Sequence, residues 1–381
     1  MNKYNLLPVL LFCMIMPAGW RHSGNTDRVN VKQDTAGVDL NSPKKVGKLF
    51  SDIFSDVSFI PLENGKQSPL SFVNDVLYFK GNFFIKDNTH ECIFCFDERG
   101  KLRFKIEPRE RAPFELASIT DYTINTSQES LEVFDFSLGK IVSFDLSGNP
   151  FREKRFNYYL REFSRQSNGD YVVYSPDLLN DKTPNTIEPG AFVTDSTGKF
   201  KYSFLLTQTS DVYSEPINCL SGFGDSITLV SNYTKDVFLI NNDKVIKLFR
   251  LKYDDDWEQS LITSHASGSN INITYRKDIA DNSGNPVYLN AVSHSQLHLK
   301  YMFNDLFAMP VITPIFYKDG RTMIGFLTAG DLKKIDEFVR QRDSLTLKVD
   351  KQLTGKLLAI AGKMTENDNP VMITFRLKNE Q

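Results

Sequence analysis

Three stretches of the sequence share one pattern and decide the fold: FCFDERGK (94–101), VSFDLSGN (142–149) and FVTDSTGK (192–199). Each has a short apolar run, then Asp-x-x-Gly, and then a second strand-like run such as Leu102 to Ile106. The Asp side chain can accept hydrogen bonds from the turn backbone, and the Gly can adopt a positive φ. Each stretch therefore predicts a β-hairpin. A degenerate fourth copy, FLINNDK, follows at 238–244.

A second series of turns lies in the same repeat units. Its members each place a turn before a strand, and they begin at residues 81, 127, 169, 224, 268 and 320. Six copies at this spacing, with four short strands per unit, predict an all-β, six-bladed β-propeller. An α/β fold does not fit, because no helical segments separate the strands. The innermost strands are expected near Val73, Ile119, Phe163, Ile217, Ile262 and Thr313.

The C-terminal region interrupts the repeat. Helical spacing of apolar residues predicts two helices, Asp331 to Arg342 and Lys351 to Met364, within an insertion in the sixth blade at about 329–365. Val371 to Phe375 is then expected as the third strand of this blade, and Val57 to Leu62 as its fourth. Pairing the two chain ends would close the ring and remove two exposed strand edges. The propeller domain is predicted to span 48–381.

The N-terminal residues differ from the rest of the chain. Residues 1–19 combine Lys3, an apolar run from Leu6 to Met16 and small residues after it, which is typical of a signal peptide. Cleavage near Ala18 is favoured over lipid anchoring at Cys13, because Phe12 is large where lipoprotein processing needs a small residue. Residues 20–47 are polar and are expected to form a flexible leader. We therefore expect an exported protein of the periplasm or the cell surface.

Composition narrows the possible partners. The net charge is −2 with no long run of one sign, so nucleic acid is not an expected partner. No later segment is apolar enough to cross a membrane, and a monomer is expected. Cys92 and Cys95 are three residues apart on a predicted strand, so they point to opposite faces and could not chelate one ion. Cys219 is read as a third buried, structural cysteine.

Several motifs resemble the six-bladed β-propeller family of Bacteroidota, whose members are exported proteins, often lipoproteins, of unassigned function. The resemblance rests on VSFIPLE (57–63), FDERGK (96–101), GFL (325–327) and DNPV (368–371), in this order. It implies a fold and an extracytoplasmic location, but no activity. The family usually carries Gly-Pro-Gly-Glu-Tyr after the first blade. Here Ala112-Pro113-Phe114-Glu115-Leu116 replaces it, which predicts a rebuilt loop.

The favoured function is a non-catalytic binding or scaffolding module at the cell envelope, for a glycan, peptide or protein ligand. Loops that join one blade to the next gather on one face of a propeller. The Arg and aromatic residues of these loops are of the types enriched at binding sites. The candidate ligand-binding residues are Arg109, Arg111, Tyr158, Tyr159, Arg161, Tyr213, Tyr253 and Trp257.

The alternative is a hydrolase or lyase with a divalent metal on the central axis. Residues at the starts of the inner strands converge there, and four successive blades offer Asp75 (or Asn74), Asp121, Glu162 and Asn218. Oxygen ligands of this kind suit Ca²⁺, which could polarise a carbonyl or activate water. Otherwise no cofactor and no catalytic residue is predicted. His294 and His298 are not expected to bind metal, because their spacing is too wide on a strand.

Overall fold

A computed structural model describes residues 31–40, 48–65, 70–71, 73–109, 113–176, 180, 187–207, 218–253, 263–275, 285–290, 293–298, 302–303, 305, 316–341 and 350–378. Within this described part, the chain forms six blades, each built on four antiparallel strands. The predicted six-bladed β-propeller is confirmed. The elements before the first complete blade are β1 (Lys32–Asp39), β2 (Lys48–Leu49), α1 (Phe50–Ile53) and β3 (Phe54–Pro61).

The first three blades follow one another along the chain. Their strands are, for blade 1, β4 (Val73–Phe79), β5 (Asn82–Asp87), β6 (Cys92–Asp97) and β7 (Leu102–Ile106); for blade 2, β8 (Asp121–Asn125), β9 (Ser130–Asp135), β10 (Lys140–Phe144) and β11 (Pro150–Arg155); and for blade 3, β12 (Glu162–Arg165), β13 (Tyr171–Ser175), β14 (Gly190–Thr194) and β15 (Phe200–Leu206).

The other three blades contain the additions to the repeat. Their elements are, for blade 4, β16 (Leu220–Phe223), β17 (Ser226–Ser231), β18 (Asp236–Asn241) and β19 (Lys244–Lys252); for blade 5, β20 (Thr263–Ser267), β21 (Asn270–Tyr275), β22 (Asn285–Asn290) and β23 (Gln296–His298), followed by β24 (Met302–Phe303); and for blade 6, β25 (Phe316–Tyr317), β26 (Thr322–Leu327), α2 (Ala329–Gln341), α3 (Lys351–Ala361) and β27 (Val371–Leu377).

The Asp-x-x-Gly stretches form the predicted hairpins between the third and fourth strands. In blade 2, Asp145 Oδ1 accepts hydrogen bonds from the N–H groups of Ser147 (2.9 Å) and Asn149 (2.8 Å). Asp97 and Asp195 make the same pair of bonds in blades 1 and 3. Gly100 has a φ of 78°, and a Cβ there would clash with the Pro61 carbonyl of the neighbouring blade. The repeat thus carries both the turn and a close contact between blades.

The two chain ends close the ring, as the sequence predicts. Strand β3 is the outer strand of blade 6 and pairs antiparallel with β27, with Pro61 opposite Val371 and Phe59 opposite Ile373. The Ser58 and Thr374 hydroxyls are 2.6 Å apart across this pair. The last blade is therefore built from both ends of the chain.

The expectation of a flexible leader over residues 20–47 is wrong for the described residues 32–40. Strand β1 lies parallel to β19 and adds a fifth strand to blade 4. Val38 and Leu40 become fully buried beside Phe249 and Leu251. The sequence of this segment lacks a strand pattern. It is stabilised as a strand because its backbone pairs with the edge of β19 and because Val38 and Leu40 are buried.

The helical insertion of blade 6 is confirmed. Both α2 and α3 lie between β26 and β27, and their Leu332, Ile335 and Leu357 side chains are buried in a core shared with Phe375. Asp350 caps α3 by accepting hydrogen bonds from the N–H groups of the first turn.

Side chains of neighbouring blades form the cores of the ring. The alternation along β6 places Cys92 in the core towards blade 6 and Cys95 in the core towards blade 2. Both thiols are free, and burial raises the pKa of Cys92 to about 11 and that of Cys95 to about 12. Cys219 is also a buried cysteine. The expected buried cysteines on opposite faces are confirmed.

Candidate functional site

The inner strands of all six blades surround a cavity of about 210 Å³ on the propeller axis, here called the axial cavity. It is lined by residues from the starts of the inner strands to the turns that follow them, including Asp75, Tyr78, Asp121, Glu162, Asn218, Ser221, Phe223, His265, Tyr317 and Lys318. Asp75, Asp121, Glu162 and Asn218 were predicted from the sequence to converge on the axis. The structure brings all four to this cavity.

Two of the carboxyl groups join neighbouring blades. The N–H of Phe163 in blade 3 donates to Asp121 Oδ2 of blade 2 at 2.7 Å. In the same way, the N–H groups of Cys219 and Leu220 in blade 4 donate to Glu162 Oε1 (3.0 Å) and Oε2 (2.6 Å) of blade 3. Each carboxyl group therefore accepts from the backbone at the next inner strand.

These carboxyl groups hold their protons unusually tightly. The pKa of Asp121 is raised to about 8, mainly by burial. The neighbouring Glu162 and Asp75 carboxyls contribute to this increase, and Lys86 opposes it. Burial likewise raises the pKa of Glu162 to about 7 and that of Asp75 above its ordinary value. Perturbed carboxyl groups gathered in a concave site are a physical signature of functional sites.

His265 lines the axial cavity from blade 5, across the ring from blade 2. The residue is 6% exposed, its ring lies 4.6 Å from that of Phe316, and its Nε2 has no hydrogen-bond partner among the described residues. Burial lowers its pKa to about 3, so the imidazole is neutral. His265 was not predicted from the sequence as a lining residue. Its position two residues into the fifth inner strand was the available signal.

Other residues of the lining are already engaged. The Lys318 ammonium is 2.8 Å from Glu98 Oε1 and lies over the Tyr78 ring. Phe79 and Phe223, at the ends of inner strands in blades 1 and 4, are in edge-to-face contact at 6.0 Å between centroids. Since these blades are opposite each other in the ring, the contact narrows the axial cavity at the end where the inner strands finish.

The geometry offers little support for an axial metal. Both Glu162 oxygens accept from backbone N–H groups, and Asn218 lies in the left-handed region with a φ of 60°. Across the part of the chain that the structure describes, no group of three His, Cys, Asp or Glu side chains could hold a metal ion. The Ca²⁺ hypothesis therefore stays a prediction without a coordination sphere to support it.

The loops that lead from one blade into the next inner strand lie on one face, here called the entry face and represented by Arg109, Tyr159 and Arg161. Arg109 is exposed, and its backbone pairs with Leu116. Tyr159 stacks on Phe136 at 5.7 Å, and Arg161 Nε lies 4.0 Å from Glu162 Oε1. Arg161 thus connects the entry face with the axial cavity.

The prediction that Tyr158 faces a ligand is wrong, because the side chain is buried. It is 8% exposed, its hydroxyl donates to the Gly198 carbonyl at 2.5 Å, and its ring packs on Phe156 and Phe192. Blade-to-blade packing therefore occupies this side chain. Tyr253 is also engaged, with its hydroxyl 3.0 Å from Asn232 Oδ1. The predicted Arg111, Tyr213 and Trp257 lie outside the described residues.

The structure adds two exposed apolar residues to the entry face. Phe136 and Leu138, in the turn between the second and third strands of blade 2, are 44% and 41% exposed. Because neighbouring strands are antiparallel, this turn lies at the same end as the loops that enter the inner strands. A shallow groove joins these residues to Tyr159. Phe136 and Leu138 were not predicted from the sequence, because they lie in a turn within blade 2 and not in a loop between blades.

The predicted rebuilding of the loop after blade 1 stays a prediction, but one described residue of the loop has a left-handed backbone. Phe114 stands where the family has the second glycine of Gly-Pro-Gly-Glu-Tyr, yet its φ is 60°. A bulky side chain in this region is a strained outlier. The ring packs against the core between blades 1 and 2, where Leu116 is buried. Packing therefore holds Phe114 in a conformation that glycine would adopt freely.

A family profile and one solved structure support the architecture. A family profile described as DUF5128, 6-bladed beta-propeller, matches residues 28–312. A candidate exported protein from Bacteroides fragilis superposes with a TM-score of 0.69 at 11% identity, over 90% of this chain and 100% of that chain. A DUF4221 family member from Bacteroides vulgatus has a TM-score of 0.49 at 10% identity, over 86% and 98% of the two chains. No curated protein matches the sequence.

No helix in the described ranges is both long and apolar enough to span a bilayer.

Proposed function

The chain belongs to the DUF5128 family of six-bladed β-propellers, and from this premise we propose that it is a non-catalytic binding protein of the cell envelope whose ligand enters the axial cavity. The observation that carries the proposal is the cavity itself. All six inner strands line it, and three carboxyl groups from successive blades, those of Asp75, Asp121 and Glu162, gather on one side.

The environment of these groups favours a ligand over a purely structural role. Backbone hydrogen bonds account for both oxygens of Glu162 and for one oxygen of Asp121. They leave the second oxygen of Asp121 available to a molecule bound in the cavity.

The entry face supplies a surface for the rest of a larger ligand. Arg109, Tyr159 and Arg161 combine with the exposed Phe136 and Leu138, and aromatic and Arg side chains contribute strongly to binding energy at interfaces. We propose that a glycan, a peptide or a protein partner contacts this surface while one polar group reaches the cavity. Export to the periplasm or the cell surface, with the signal peptide of residues 1–19, completes the proposal.

The test is a screen of the purified protein against a glycan array and a peptide array, with two variants in parallel. We expect Tyr159→Ala and Arg161→Ala to weaken binding of the ligands found while leaving the Tm nearly unchanged, since both side chains are partly exposed. Glu153→Gln, at an exposed ion pair on the outer strand of blade 2, is the matched control. Loss of stability in step with loss of binding would instead identify packing residues.

A further inference from the structure

The shallow groove of the entry face lies between blade 2 and the segment that leads into blade 3. Its volume is about 320 Å³, and its walls are the turn of residues 136–139 and residues 157–159. Phe136 and Leu138 are largely exposed on one wall, and the half-buried Tyr159 ring lies 5.7 Å from the Phe136 ring. The groove therefore presents two neighbouring aromatic rings to the outside.

Buried polar side chains beneath the groove hold both walls in place. Asp135 is fully buried, and its Oδ1 accepts a hydrogen bond from the Leu138 N–H at 3.1 Å. On the other wall, the buried Asn180 accepts from the Tyr159 N–H at 2.6 Å and donates to the Tyr159 carbonyl at 3.0 Å. A groove fixed in this way is ordered before a ligand arrives, so binding costs less conformational entropy.

The lining combines these rings with uncharged polar groups. None of the residues that line the groove carries a charge, and they include the exposed Asn157 amide and the Ser137 hydroxyl. A Cβ at Gly139 would lie only 3.2 Å from Asn157 Oδ1, so the missing side chain makes room for the amide. An amide both donates and accepts hydrogen bonds, as the hydroxyl groups of a ligand do. An ionic ligand would find no opposite charge in this lining.

The shape of the groove limits what it can hold. A side chain that anchors a peptide or a protein partner normally fills a desolvated pocket. A shallow groove instead contacts one face of a ligand and leaves the other face in water. A pyranose ring suits such a contact, because it has C–H groups on its faces and hydroxyl groups around its edge. The negatively charged face of an aromatic ring attracts the C–H groups.

We propose that this groove binds an uncharged sugar ring of a glycan, packed on Phe136 and Tyr159, with Asn157 and Ser137 as hydrogen-bond partners of its hydroxyl groups. This inference rests on the proposed function, because it names the class of ligand that the entry face holds and the residues that contact its ring.

The experiment applies the full chain and its variants to a glycan array that contains uncharged, acidic and amino sugars. We expect glycans with uncharged hexoses to bind. Phe136→Ala removes one of the two rings and should weaken this binding about tenfold, with the Tm nearly unchanged because the side chain is exposed. Tyr159→Phe keeps the second ring and should retain binding, whereas Asn157→Ala removes the amide and should weaken it.

Phe151→Ala is the matched control. Phe151 is an exposed phenylalanine of the same blade, at 47% against 44% for Phe136. It lies near the start of the outer strand β11, next to the hairpin at the end of the blade away from the entry face. This variant should leave glycan binding unchanged. Equal losses in Phe136→Ala and Phe151→Ala would show a general effect of exposed apolar surface and overturn the inference.

The possible outcomes separate this inference from the proposed function. Binding confined to acidic or amino sugars, or binding of uncharged glycans that Phe136→Ala leaves unchanged, overturns the inference. If the peptide array gives ligands and the glycan array gives none, the proposed function stands and the inference is wrong. If neither array gives a ligand, the proposed function itself is wrong. Uncharged glycans whose binding needs Phe136 but withstands Asp121→Asn would support the inference and contradict entry of the ligand into the axial cavity.

Discussion

The side chain of Glu162 in blade 3 accepts a hydrogen bond of 2.6 Å from the N–H of Leu220 in blade 4. Its other oxygen accepts from the adjacent Cys219 N–H at 3.0 Å, so one carboxylate satisfies two donors of the next inner strand. Asp121 makes the corresponding bond to Phe163 one blade earlier. The acids that line the axial cavity thus also hold the ring together, and their two roles can be separated by mutation.

Glu162→Gln should destabilise the protein by about 1–3 kcal/mol. The Gln amide can accept from only one of the two N–H groups and presents its own donor to the other, which leaves a buried donor unsatisfied. Urea unfolding followed by circular dichroism measures the change. Glu153→Gln, at a surface ion pair, should change the free energy of unfolding by at most about 1 kcal/mol. Equal effects of the two variants would contradict the inter-blade role.

Stability should fall as the pH rises from 5 to 8. The folded-state pKa of Asp121, about 8, is above the roughly 3.9 of an unfolded Asp. The folded state therefore binds more protons than the unfolded state in this window. Its extra stability is fully present below the unfolded value and is lost as the pH passes through the folded value, by up to about 1.4 kcal/mol per pH unit. Glu162, at about 7, adds in the same direction.

Asp121→Asn tests the origin of this slope. Asn cannot ionise but retains an oxygen for the Phe163 N–H, so the variant should lose less stability than the natural protein between pH 5 and pH 8. Urea unfolding at several pH values provides the comparison. Parallel curves for the two proteins would show that Asp121 does not titrate in this range.

Calcium should leave the Tm unchanged. Any ligand that binds only the native state raises the Tm, and the described axial side chains lack the arrangement to coordinate a metal ion. Thermal melting with calcium chloride and with a chelator makes the test, with magnesium as the control for ionic strength. A calcium-specific increase in Tm that Asp121→Asn abolishes would revive the hypothesis of an axial metal enzyme.

Two N-terminal deletions, one that removes β3 and one that removes only β1, should have different consequences for stability. A chain lacking residues 1–62 loses β3, which exposes β27 and opens the ring, so we expect no cooperative unfolding transition. A chain lacking residues 1–40 loses only β1 with the buried Val38 and Leu40, and should remain folded but be less stable by roughly 3–6 kcal/mol. Chemical denaturation distinguishes the two. A cooperative transition in the shorter chain would contradict closure by β3.

Local signals in the sequence were sufficient for the hairpins, the blade number and the ring closure. The Asp-x-x-Gly turns depend on bonds within five residues, such as Asp145 to Asn149, so the sequence alone specifies them. Strand β1 could not be predicted in this way. Its residues become a strand only because the edge of β19 accepts them and buries Val38, which is a tertiary effect.

The site was predictable only in part. Strand order was enough to place Asp75, Asp121 and Glu162 together, because every inner strand starts near the axis. The sequence does not show which inner-strand side chains lack hydrogen-bond partners, so His265 was not predicted. It also does not show which loop side chains are buried, so Tyr158 was predicted to face a ligand. Phe114 shows the same limit. Its residue type disfavours a left-handed backbone, and only packing against the core between blades 1 and 2 holds it in that conformation.

The most direct test of the axial site is to repeat the array screen with Asp121→Asn. This variant removes an ionisable group from the cavity lining and keeps an acceptor for the Phe163 N–H, so the free energy of unfolding at neutral pH should stay nearly the same. If ligands enter the axial cavity, those bound by the natural protein should be lost or strongly weakened in the variant while its Tm is retained. An unchanged set of ligands at unchanged affinity would contradict the account and place the binding site elsewhere on the propeller.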